Sequence, residues 1–229
     1  MIAVVGEPAA PVPRLLAQLA ERGHRSGPAA GASESSEPVF VVGPGDHDPE
    51  VEAWMVAAPS RASAGRILVM SIVGAHPDAA AADLRRLWML EERARSTGLP
   101  VLTLRLGPLV GPRSPLWLHL RSRPRLPRGG RHLVQPVFEA DVVETLDRAL
   151  SGGASWSGWF EVVGGEVLTL EELASLARAA GSPLPAGAGS WEPALAILEC
   201  QRLGEADPWR RHFKIEPGTV SELARGWAA

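Results

Sequence analysis

At 229 residues and 45% apolar content, the chain has enough hydrophobic material for one domain, or for one domain with a small appended lobe. A formal net charge of -3 gives no electrostatic reason to expect nucleic acid or an anionic membrane as partner, and no apolar run is long enough to span a bilayer. A single cysteine, Cys200, excludes an intramolecular disulfide and a cysteine metal cluster, so a reducing cytoplasm is the expected location.

Met1 leads straight into a strand, Ile2 to Val5, with no basic segment of a secretory leader before it. Arg14 to Arg22 reads as a helix with Leu15, Leu16 and Leu19 on one face, closed by Gly23. The turn between them carries Pro8, Pro11 and Pro13. Proline has no backbone N–H, and those groups are the donors that an anion needs at a helix N-terminus. The prolines therefore favour a structural strand–turn–helix over a phosphate cradle. Gly23 to Pro38 is rich in turn formers and reads as loop.

Val39 to Val42 is a further buried strand. Beyond it Asp46, His47 and Asp48 form a dense group of titratable side chains. They suit a metal or acid/base role, or else a polar turn in which Asp48 caps a helix starting at Pro49 and running to about Ala58. The turn with a cap is the simpler reading of the two.

Ile67 to Val73 is apolar and rich in β-branched residues, as befits a strand covered on both faces. Asp78 is placed to cap a helix over Ala79 to Thr97, with Leu84, Leu87 and Trp88 as its apolar stripe and a Glu91–Arg95 pair at i,i+4. Thr97-Gly98 ends it, Pro100 bars its continuation, and Val101 to Leu106 is the next strand. A strand, a crossover helix and a strand predict a parallel βαβ unit.

Ser114 to Leu120 reads as a short helix. Arg121, Arg123, Arg125, Arg128 and Arg131 follow, interleaved with Pro124 and Pro127. They suit an anionic ligand, or a solvated, proline-stiffened loop. His132 to Val134 and Trp159 to Val163 read as strands, separated by a helix ending at Leu150 and a Ser151-Gly152-Gly153 turn. Thr169 and Glu172 form a capping box. Gly181 to Gly189 is a Pro/Gly linker. A helix from Glu192 to Leu203 would pack Cys200, and Val220 to Trp227 is a last helix.

This succession resembles the extended and atypical short-chain dehydrogenase/reductases, in the NAD-dependent epimerase/dehydratase and NmrA-like branch. The residues that carry the resemblance are Val69 to Ala75, Ser96 to Pro100, Leu104 to Pro108, Gln135-Pro136-Val137 with Asp141-Val142, and Phe160 to Gly165. It implies a Rossmann-like α/β fold: a mostly parallel sheet with helices on both faces, and a small C-terminal lobe. It also implies a trimmed core over 1–112. Residues 113–229 then supply the remaining core elements, about 132–163, and the lobe. Asp141 would cap or tether backbone.

The resemblance also implies an NAD or NADP site, and here the chain departs from the pattern. Of the three glycines of the cofactor turn only Gly6 matches, the others falling near Ala9 and Val12. The stretch to Pro38 is short for the adenosine side, so Arg25 and Glu34 lack the strand that would hold a ribose reader. Counting back from Gly98-Leu99-Pro100, the family's Tyr-x-x-x-Lys pair falls on Asp83 and Leu87, and the chain contains no tyrosine at all.

Ser71 stands beside the family's serine position. Ser71, Asp83, Asp46 and His47 are thus the catalytic candidates, and Arg121, Arg123 and Arg125 the ligand candidates. No cofactor and no metal are expected. The expected function is non-catalytic binding of a partner or of a small effector in the cleft. The alternative is an NAD(P)-dependent epimerase/dehydratase-type oxidoreductase, or an isomerase or lyase with a non-standard site. The 79–97 helix, with Trp88 and Met89, is expected to form a homodimer.

Overall fold

The computed structural model of the protein describes residues 2–4, 12–28, 39–42, 65–122, 124–153, 155–181, 198, 201 and 203–227. In chain order the elements are β1 (Ile2–Val4), α1 (Val12–Glu21), β2 (Ser26–Pro28), β3 (Val39–Val42), β4 (Arg66–Ile72), α2 (Ala82–Ser96), β5 (Val101–Leu106), β6 (Leu109–Val110) and α3 (Pro115–Arg121). They continue with β7 (Leu133–Val134), β8 (Val137–Phe138), α4 (Glu139–Leu150), β9 (Trp159–Val162), β10 (Leu168–Thr169), α5 (Leu170–Ala179), α6 (Ala206–Phe213) and α7 (Val220–Leu223). The chain forms two compact units: Met1–Arg105 with Val143–Phe160, and Leu106–Val142 with Glu161–Ala229.

The strands of the main sheet run β2-β1-β3-β4-β5-β9. β1 is parallel to both β2 and β3, and β3 is parallel to β4 in the register Val39↔Arg66 through Val42↔Val69. In β4, Ile67, Leu68, Val69 and Met70 are each at most 2% exposed. Burial on both faces explains why the sequence there is continuously apolar instead of alternating.

At Ser26–Pro28, β2 corrects the loop reading; residues 29–38 lie outside the described residues. Ile2 N–H donates to Arg25 C=O at 2.8 Å, and Ser26–Pro28 then pairs along β1. Ser, Gly and Pro are poor strand formers by composition, but proline is tolerated on an edge strand because its outer side needs no donor.

Helix α2 also begins later than expected, at Ala82. Its N-cap, Ala81, offers no side-chain hydrogen bond. Asp78 caps nothing: its side chain is 90% exposed, and its N–H donates to His76 Nδ1. Arg85 instead reaches back to the carbonyls of Ala79 and Ala80, which holds residues 79–81 out of the helix. The expected Glu91–Arg95 pair is not made either. Arg95 pairs with Glu92. Glu91 follows Leu84 and Leu87 at i+7 and i+4, hence on the buried face. It is 0% exposed and receives Arg105 of β5 through Nε at 3.0 Å and Nη2 at 2.7 Å. Thr97 closes the helix as expected, with Gly98 at φ +75°.

The second unit has its own core. Ser114 Oγ accepts Trp117 N–H and so caps α3, and Thr169 and Glu172 make the expected capping box on α5. These caps aim Leu116, Trp117 and Leu120 of α3 and Leu170, Leu173, Ala174 and Ala177 of α5 into one cluster. Trp227 packs edge-on to Trp117 and Phe138, at centroid distances of 4.8 and 5.6 Å. Two small sheets, β6–β8 parallel and β7–β10 antiparallel, complete this unit.

Gln135 is held at both ends of its amide. Its Nε2 donates to Gly164 C=O at 2.8 Å, and its Oε1 accepts from Gly204 N–H at 3.1 Å. Asp141 accepts from Gly218 N–H at 3.4 Å, so it tethers backbone. The expected 192–203 helix does not extend to Leu203, which is non-helical and 41% exposed. Cys200 and most of that segment lie outside the described residues. Helix α6 was not anticipated. It is eight residues long, and its buried residues are Trp209 and Phe213, at 0% and 2% exposure.

Gly164 shows why the Phe160 to Gly165 motif needs glycine: a Cβ there would lie 2.0 Å from Pro136 C=O. A methyl group cannot fit without moving backbone. Gly164→Ala is therefore expected to cost about 2–3 kcal/mol, in the range of overpacked sites, measured as a lowered denaturation midpoint. Gly165→Ala, whose Cβ would lie 3.0 Å from Pro217 C=O, should cost less.

Candidate functional site

In open α/β sheets ligands sit outside the carboxyl ends of the strands. At that end of β4, Ser71 lies two residues beyond Val69, the last residue registered with β3. Ser71 is 1% exposed, and its hydroxyl has no hydrogen-bond partner among the described residues. A buried hydroxyl left unpaired costs about 1–3 kcal/mol. The chain then turns through Gly74 at φ +91°, with Ala75 N–H donating to Ile72 C=O at 3.0 Å.

Ala75 belongs to an apolar cluster with Leu84 and Leu87, against which Ile72, Trp88 and Leu90 pack. Leu87, the residue in the lysine slot, is 6% exposed. Asp83, in the tyrosine slot, points outward. Its side chain is 51% exposed and pairs with Arg86 at 3.2 Å. No hydrogen bond joins Ser71 to Asp83, so they do not form a nucleophile–base pair. Trp88 is half-buried against the Ala75 cluster, whereas Met89 is 47% exposed.

Gly6, Asp46, His47 and Arg123 lie outside the described residues, as do Asp48 and Glu34. Arg25 is exposed. Arg121 is half-buried, and its guanidinium covers Gly181, where a Cβ would fall 2.6 Å from Nη2. Arg125, Arg128 and Arg131 are exposed. Among the described residues, no group of three or more His, Cys, Asp or Glu side chains is placed to hold a metal ion. Nor is any helix among them long and apolar enough to cross a membrane.

Among the described residues, ion pairs join side chains more than ten positions apart in two places. Arg105 lies between the Glu91 carboxylate and the ring of Trp159, 4.4 Å from the ring centroid. Its sequence signal was the lone charge inside the apolar strand Val101–Leu106. Such a residue must face a partner. The other constellation ties the end of α1 to α4. Arg22 reaches Glu144 at 2.6 Å and Asp147 at 3.1 Å, while His24 Nε2 meets Asp147 at 2.6 Å. Arg148 also pairs with Glu144.

The hydrogen bond from His24 is the largest influence on the Asp147 carboxyl and holds it below its usual range; burial opposes this, and the hydrogen bond from Arg22 adds to the lowering. Glu144 is lowered chiefly by Arg22, and further by Arg148. A carboxyl with a depressed folded-state pKa gives stability that is fully present above its unfolded value and is lost as pH falls through the folded one. The thermal midpoint should therefore drop as pH falls below about 4, where free carboxylates begin to protonate. In a Glu144→Gln/Asp147→Asn variant, calorimetry across the same pH range should show a shallower fall.

No family model matches the sequence, and no curated protein matches it. Solved structures do match in fold. UDP-N-acetylglucosamine 4-epimerase from Bacillus cereus superposes with a TM-score of 0.67 at 11% identity, covering 99% of this chain and 97% of that one. The Bordetella bronchiseptica enzyme WbmH, in complex with NAD+, gives 0.65 at 16% identity over 98% and 95%. An NAD-dependent NDP-hexosamine 5,6-dehydratase, TunA, gives 0.66 at 12% identity over 99% and 96%. The chain therefore has the Rossmann-like fold seen in NAD-dependent epimerases and dehydratases.

Proposed function

We propose that this protein is a non-catalytic binder on the epimerase/dehydratase fold, taking a small effector or a partner at the carboxyl end of its parallel sheet. The observation that carries this reading is the state of the two slots on α2. A phenol beside a lysine is the proton relay that the resemblance implies. In their places stand a solvated Asp83 engaged with Arg86 and a Leu87 sunk in an apolar cluster. The chain has no tyrosine elsewhere to substitute. Ser71 supplies a buried donor for a ligand without supplying a base.

A second reading, an NAD(P)-dependent epimerase/dehydratase or an isomerase or lyase with a non-standard site, has one observation in its favour. Strand β2 stands beside β1, the place where the resemblance puts a ribose-reading strand, which supports this reading. This removes one of the two reasons for expecting no dinucleotide. The other, the Pro-rich turn after β1, lies over residues 5–11, outside the described residues. Pro13 sits in the first turn of α1, where a missing N–H does little harm.

Thermal shift separates the two readings. A ligand at 100 times its dissociation constant stabilises by about 2.7 kcal/mol. The proposal expects no shift from NAD(H) or NADP(H), and a shift from another metabolite of the panel, UDP-sugars included. A dinucleotide shift of that size would transfer the assignment to the second reading.

A further inference from the structure

We draw no further inference here: the strongest candidate, the buried and unpartnered hydroxyl of Ser71 at the carboxyl end of β4, belongs to the site already described.

Discussion

Replacing Leu87 by lysine should lower the unfolding free energy by on the order of 4 kcal/mol or more, and adding Asp83→Tyr should restore no dehydrogenase turnover. Leu87 is 6% exposed and packs with Ala75 and Leu84. Removing a buried leucine side chain costs about 2–5 kcal/mol. The ammonium group adds a desolvation cost, which the long stem relieves only as far as it can reach water. Against a total stability of roughly 5–15 kcal/mol, such a loss is large. Leu87→Met conserves volume and should stay within about 1.5 kcal/mol of the parent. Urea unfolding of the three proteins reads the difference directly. A Leu87→Lys protein as stable as the parent would mean that this face of α2 is solvated and that the relay position is open.

Glu91→Ala should cost about 3–5 kcal/mol, the range for removing one partner of a buried ion pair. Glu91 is 0% exposed and Arg105 has 13% of its side chain exposed. The cost of the substitution is therefore dominated by the cation left behind, not by the attraction lost. Arg105 keeps the Trp159 ring at 4.4 Å and a little solvent access, which places the expected value toward the lower end of that range. A Glu91→Met/Arg105→Met double variant removes both charges and should be more stable than Glu91→Ala. Chemical denaturation of the two variants and the parent checks the ordering. If the double variant were the less stable one, the pair itself would be a net source of stability.

The readable parts of this sequence were those where one local rule acted alone. The short apolar, β-branched run of β4, and the mostly apolar β5 after Pro100, marked strands covered on both faces. Thr169 with Glu172 marked a helix start through side chains that satisfy backbone N–H groups; the cap that Ser114 makes on α3 was not read from the sequence. Asp141 was recognised as a tether through its motif, and Gly218 is its partner.

Elsewhere a tertiary contact overrode the local rule. Asp78 had the right chemistry for a cap, yet Arg85 claimed the carbonyls of Ala79 and Ala80 and moved the helix start. Glu91 had Arg95 within local reach, but the face it shares with Leu84 and Leu87 turns it to Arg105, 14 residues away. Ser26–Pro28 is a strand because β1 offers it a parallel edge. Helix α6 rests on two aromatic anchors, too few to give a periodic signal. At the candidate site, the missing tyrosine and the lysine slot were legible by counting. The orphaned state of Ser71 was not, since it depends on what surrounds the hydroxyl in space.

Turnover tests the central claim most directly. The intact protein would be incubated with UDP-sugars in the presence of NAD+ or NADP+, with sugar ring protons followed by NMR and reduced nicotinamide by absorbance. The account predicts unchanged sugar spectra and no reduced cofactor after hours of incubation. An epimerised or dehydrated sugar, or accumulation of reduced nicotinamide, would contradict it.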